Sequence, residues 1–198
     1  MHLHVMGGKP GSLEKLSLEV SITMEDPTPL FARGINRKMY YHAARLVRFA
    51  EALNSADSLV MCDADALVTA DPRAFLIGET GLRVRPGRIE PWHHFSACLI
   101  RGSQSGLAYF QAVATIIRRL LFTPFWGLDQ YALFAAYVQL KPHLELFGPD
   151  IASVENDTPG LFWFTAGRNK LGLTTGTDAY ARLFQDYSEK APPTSVRL

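Results

Sequence analysis

The chain has 198 residues, 47% of them hydrophobic and 20% charged, with a formal net charge of +1. Such a composition supplies one core of moderate size, and its near-neutral balance argues against the basic stripe of a nucleic-acid-binding protein. No apolar run reaches the roughly 18 residues that a membrane span needs. Met1-His2-Leu3-His4-Val5 lacks the basic-then-apolar order of a signal peptide. Two cysteines, Cys62 and Cys98, lie in apolar runs and read as small core residues, which fits a reducing, cytoplasmic setting.

Leu3-His4-Val5-Met6 reads as a short strand stopped by Gly7-Gly8-Lys9-Pro10-Gly11, a turn without the spacing of a phosphate loop. Ser12 can cap a short helix through Leu18, and Val20 to Thr23 reads as a second strand. Glu25-Asp26-Pro27-Thr28-Pro29 reads as a loop, because each proline restrains its predecessor from helix. Met39, Tyr40, Ala43, Ala44, Leu46, Val47, Ala50 and Leu53 then recur at helical spacing and predict a helix over 37–53. Trp92 to Ile100 reads as a buried strand, Ser103 to Leu121 as a long helix, and Asp129 to Val138 as another, entered through a tight Phe125-Trp126-Gly127 connection. His143 to Leu146 and Leu161 to Phe164 read as late strands, followed by a polar loop over 165–170 and a terminal helix over 180–189. Strands alternating with helices predict an α/β fold, with a single domain over 1–190 and a loose tail over 191–198.

The stretch Ser58 to Val68 carries the chemistry. An apolar run there ends in Asp63-Ala64-Asp65, and an uninterrupted apolar run reads as a strand inside a parallel sheet. Ligands of such sheets bind at the carboxyl ends of the strands. Residues two apart in an extended segment point the same way, so both carboxylates could face one hard cation that offsets their repulsion. An aspartate at a strand end also caps turns, so on residues alone both readings stand.

Tyr40-Tyr41-His42-Ala43-Ala44-Arg45-Leu46 followed by a strand ending Asp63-x-Asp65 resembles the GT-A glycosyltransferases, above all the glycogenin-like and lipopolysaccharide-galactosyltransferase-like group (glycosyltransferase family 8). The resemblance continues through Phe95 to Leu99 and Asp129-Gln130 to Gly167-Arg168-Asn169-Lys170, and covers roughly residues 1–175. It implies a mixed, mostly parallel sheet flanked by helices. Because Leu3 to Met6 matches the group's second strand, it also implies an N-terminally truncated chain lacking the first βα unit, with an exposed sheet edge that an oligomer could cover.

The resemblance further implies a metal-dependent transfer of sugar from a nucleotide-diphosphate donor, a UDP-sugar first among them, with retention at the anomeric centre. Asp63 would touch the ribose and the metal, and Asp65 would ligate the metal, Mn²⁺ or Mg²⁺. Arg45 would hold the Asp-x-Asp region or the donor sugar, Asp129 and Gln130 would face the reacting sugar, and Lys170 beside Gly167 would neutralise the diphosphate. The acceptor would be a glycan, a lipid-linked group or a protein, with room for peripheral membrane association and no role for nucleic acid. Where the group commonly has a metal-binding histidine the chain has Phe164, leaving the metal to the aspartates, phosphates and water, with His93 or His94 as substitutes. Two alternatives remain. One is a nucleotide-sugar-binding domain without turnover. The other is a phosphatase of the haloacid-dehalogenase type, against which Leu67 and the lack of a later Asp-Asp both count.

Overall fold

A computed structural model describes residues 2–6, 21–63, 66–85, 87–122, 125–154 and 159–164. The helices expected over 12–18 and 180–189, the polar loop and the tail lie outside the described residues.

Strands β1 (His2–Met6) and β2 (Ser21–Glu25) pair in parallel, His2 opposite Ser21 and Met6 opposite Glu25. A short helix, α1 (Thr28–Ala32), follows in the segment whose prolines predict a loop. The prolines are compatible with it because Pro27 is the cap and Pro29 falls in the first turn, where a missing N–H costs no intrahelical bond. Helix α2 (Arg37–Leu53) has the predicted bounds. The Asn36 side chain caps it by accepting the Met39 N–H at 3.2 Å, and its apolar stripe is buried.

Strand β3 (Ser58–Cys62) runs antiparallel to β6 (Phe95–Ser103), not as the interior strand of a parallel sheet. The apolar run has a different cause: Leu59 and Met61 face the helical core while Val60 packs on the opposite side, so both faces are covered. Cys62, at the end of the strand, is exposed and not the core residue expected, whereas Cys98 is half-buried and packs against a hydrophobic cluster; neither is disulfide-bonded.

After β4 (Leu67–Val68) and a 3₁₀ turn over Pro72–Leu76, β5 (Gly81–Val84) joins β6 antiparallel. Residues Trp92 to His94, expected in strand, form a second 3₁₀ turn led by Pro91, whose fixed φ suits a first helical position. Helices α3 (Leu107–Leu120) and α4 (Leu128–Leu140) precede β7 (Glu145–Phe147), β8 (Ala152–Val154) and β9 (Phe162–Phe164). The larger sheet has the order β3-β6-β5-β7, with β7 parallel to β5; a smaller one has the order β4-β9-β8. Helices flank a mixed sheet, as the α/β pattern predicts.

Helices α2, α3 and α4 share the core on one sheet face, where the rings of Phe49 and Phe110 meet edge-on at 4.8 Å. The close approach of α2 to β6 requires Gly102: a Cβ there would lie 2.8 Å from Leu53 and 2.9 Å from the Phe49 ring. A second cluster, Phe75, Leu99, Phe147, Phe162 and Phe164, covers the other face. Between Phe75 and Phe147 lies the buried Arg101, stacked on both rings at 4.7 and 5.3 Å. It donates to the carbonyls of Glu79 and Phe75 and is paired with Glu145.

Candidate active site

Asp63 is fixed by the sheet itself. Its N–H donates to the Cys98 carbonyl at 2.8 Å, carrying the β3–β6 ladder one residue past the strand, and its own carbonyl accepts the Ala66 N–H at 3.1 Å. The carboxylate therefore emerges where β3 stops and the chain turns.

Arg45 reaches it from α2. Its Nε donates to the His42 carbonyl at 3.1 Å, Nη1 is paired with Asp63 Oδ1, and Nη2 lies 3.4 Å from Asp129 Oδ2. Asp129 stands in the first turn of α4, its side chain only 8% exposed, with Oδ1 accepting the Gln130 N–H at 2.9 Å. A carboxylate there suits the positive end of the helix dipole. The guanidinium thus ties together three separate elements. Burial opposes its charge, but Asp63 and then Asp129 outweigh that and raise its pKa above the ordinary arginine value.

Two carboxylates around one guanidinium leave one formal negative charge. The Asp63 side chain is half-buried at the strand end, and its Oδ1 is the oxygen that meets Arg45. Oxygen is the donor that Mg²⁺ and Mn²⁺ take. The second expected metal ligand, Asp65, lies outside the described residues, as do Gly167 and Lys170. Among the described residues no three His, Cys, Asp or Glu side chains converge on a metal position.

Of the expected site residues, the structure brings Arg45, Asp63 and Asp129 into contact and places Gln130 beside them. Gly127, with φ of 82°, turns the chain into α4. Gln130 Oε1 and His93 Nε2 lie 3.8 and 4.0 Å from where its Cβ would be, so His93 stands at the entrance to the same helix. Phe164 is buried in the second cluster, out of reach of any such role.

The chain resembles glycosyltransferases of known structure. It aligns over 98% of its length with apo GlyE, a glycosyltransferase of Streptococcus pneumoniae TIGR4, at a TM-score of 0.56 and 14% identity. A second GlyE structure gives the same TM-score at 13% identity. A glycosyltransferase involved in glycosylation of the major capsid of PBCV-1 aligns over 95% of this chain and 98% of its own, at 0.54 and 9%. The fold is of the GT-A type. The chain spans 61% and 62% of the two GlyE chains. No family model matches, and no curated protein matches in sequence.

Set in that fold, side chains near the cluster that the sequence pattern did not single out take on meaning. Lys38 and His42 recur with the expected Arg45 at i, i+4 and i+7 along one face of α2, a spacing legible in the sequence. Arg85 lies past the end of β5 with Nη2 3.5 Å from the Phe95 carbonyl and a buried Nε that makes no hydrogen bond. Burial first, and Arg88 next, lower its pKa. No helix among the described residues is long and apolar enough to cross a membrane.

Proposed function

We propose that the chain transfers a sugar from a nucleotide-diphosphate donor to an acceptor, with the Arg45–Asp63–Asp129 cluster as its donor-binding centre. The observation that carries this reading is the convergence on one guanidinium of a strand-end carboxylate and a helix-start carboxylate, inside a fold that glycosyltransferases share. Sugar transfer from a diphosphate needs the leaving phosphates held while negative charge builds on them. Asp63 and Asp65 would hold Mn²⁺ or Mg²⁺ there, and that ion supplies Lewis-acid stabilisation of the leaving diphosphate.

Arg45 restrains Asp63 at the strand end and pairs with Asp129 inside the helix start. Asp129 fixes the first turn of α4 and thereby presents Gln130 toward the sugar. Lys170, with the backbone around Gly167, is assigned to the diphosphate. The donor is a UDP-sugar, transfer proceeds with retention, and the acceptor is a glycan, a lipid-linked group or a protein. The setting is the cytoplasm. A second reading, donor binding without turnover, draws support from Phe164, whose burial takes that position out of any ligand set.

The test is a thermal-shift screen with UDP-, GDP- and CDP-sugars, with and without Mn²⁺, followed by measurement of released nucleoside diphosphate. A bound ligand raises the midpoint by mass action. A metal-dependent rise together with diphosphate release supports transfer; a rise without release leaves the binding reading; no rise with any donor removes both.

A further inference from the structure

Trp126 is 65% exposed, although it sits three residues before Asp129 and is held at both ends. The Phe125 N–H donates to Met39 Sδ at 2.8 Å, and the Gly127 carbonyl accepts the Tyr131 N–H at 2.9 Å, so the backbone around the indole is anchored on α2 and α4. Lys38 Nζ lies 4.5 Å from the ring centroid, and the His42 ring meets it at 5.3 Å and 75°. A single exposed apolar residue is ordinary on a protein surface, but here the backbone is anchored on two helices, so the indole, apolar in body and polar at one end, is held in place facing solvent. It borders the candidate active site.

Its position fixes what could touch it. Trp126 lies over Lys38 and His42, and Asp129 lies on Arg45, so the segment leading into α4 runs along the Lys38–His42–Arg45 face of α2. At 1.5 Å per residue the indole is offset from Arg45 by about 7 Å along the helix axis, a length on the order of a hexose unit. The offset is toward the N-terminus of α2. In the other direction, Arg48, three residues beyond Arg45, is paired with Glu25 at the carboxyl end of β2. Nucleotides bind outside the carboxyl ends of parallel strands, and β2 is paired in parallel with β1. The nucleotide therefore belongs on the Arg48 side and the indole on the opposite side, where the group receiving the sugar would stand.

We infer that Trp126 is the platform of an acceptor subsite for a saccharide, stacking on the C–H face of a hexose while Lys38, His42 and Gln130 stand near enough to meet its hydroxyls. The electron-rich face of an indole attracts the polarised C–H groups of a sugar ring, and a rigid amphipathic ring loses little conformational freedom on binding. One ring face carries the Lys38 ammonium; the exposure leaves the remainder for the ligand. The inference rests on the sugar-transfer reading for its acceptor role, but saccharide binding can be measured without transfer.

The test uses the full chain titrated with lactose, maltose, cellobiose and N-acetyllactosamine, followed by tryptophan fluorescence and calorimetry, with UDP and Mn²⁺ as a separate titrant. At least one disaccharide should bind and shift the emission, with affinity lost by about tenfold or more in Trp126→Ala and largely kept in Trp126→Phe. UDP affinity should be unchanged in both variants. The inference is overturned if no disaccharide binds, if Trp126→Ala binds them as the parent does, or if UDP affinity falls in step, which would make the indole a base platform. Disaccharide binding that needs Trp126 in a protein that binds no nucleotide keeps the platform and removes the transferase reading.

Discussion

Arg45 and Asp129 stand 84 residues apart in the chain, and their side chains lie 3.4 Å from each other where α2 passes the start of α4. The contact ties the strand-end acid, Asp63, to a helix start through a single guanidinium, so the position of either carboxylate depends on the packing of both helices. Coupling a charged site to the helical core in this way fixes its geometry before any ligand arrives, which is what an electrostatic site needs.

Replacing Arg45 with alanine removes the one cation paired with Asp129 among the described residues, and the side chain of Asp129 is almost fully buried. A carboxylate left unpaired in such a place costs about 1–3 kcal/mol, somewhat less where water can reach it. Denaturant unfolding should show Arg45→Ala destabilised by that amount, and Arg45→Ala/Asp129→Asn should recover part of it. If the double variant is no more stable than the single one, the loss does not come from leaving Asp129 without its partner.

Much of this site was legible before any coordinates, and the reason is local. Asp63 could be placed at a strand end because the apolar run stops there, and Arg45 on a helix because its neighbours repeat at helical spacing. The direction of β3 was not legible, since an apolar run reports that both faces are covered and says nothing about which way the partner runs. Nor was the burial of Arg101, because it is decided by packing between segments distant in sequence, while the turn over Pro91–His94 has a local cause in Pro91 that the apolar run beside it masks. The connection that holds Trp126 is legible in the sequence, but the exposure of its indole depends on how α4 docks on α2.

Asp63→Asn keeps the shape of the strand end but removes the charge that pairs with Arg45 and would meet a metal. Hydrogen bonds to charged groups are worth roughly 1.5–3 kcal/mol, so Mn²⁺-dependent UDP binding should weaken by about tenfold or more. The fold should survive, because the backbone bond to Cys98 is untouched. Calorimetry reads the affinity, and parental binding in Asp63→Asn would remove the aspartate from the site.

Arg101 predicts a stability effect with no functional counterpart. Its guanidinium is buried, with two backbone carbonyls and Glu145 as partners. Arg101→Ala removes the stacking against Phe75 and Phe147 and strands those carbonyls, at a cost of about 3 kcal/mol. Arg101→Met, which refills the volume, should cost less. Nucleotide affinity measured on the folded fraction should not change in either variant.

Gly127→Ala tests the entrance to α4. A φ of 82° disfavours any side chain by about 1–2 kcal/mol, while the nearest atom to the new Cβ would be Gln130 Oε1 at 3.8 Å, so space is not the obstacle. The expected loss is that backbone term, and Gly127→Asn should lose less because asparagine tolerates this conformation. Equal losses for the two, read from thermal midpoints, would point to a clash instead of strain.

Tyr109 gives an alkaline prediction whose sign can be worked out. Its hydroxyl donates to the Leu133 carbonyl at 2.9 Å inside the core, and burial pushes its pKa far up, with Tyr137 adding to the shift. An unfolded tyrosine ionises near about pH 10. Because the folded value lies above that, the stabilising contribution is complete below about pH 10 and is lost as pH rises further, with a slope of up to about 1.4 kcal/mol per pH unit for one proton. Tyr109→Phe lacks both the hydrogen bond and this titration. At neutral pH it should be less stable by about 1 kcal/mol, and above about pH 10 its stability should fall less steeply, so that the two curves converge. Urea unfolding at a series of pH values reads both quantities; parallel curves across the alkaline range would mean that Tyr109 ionises as readily folded as unfolded.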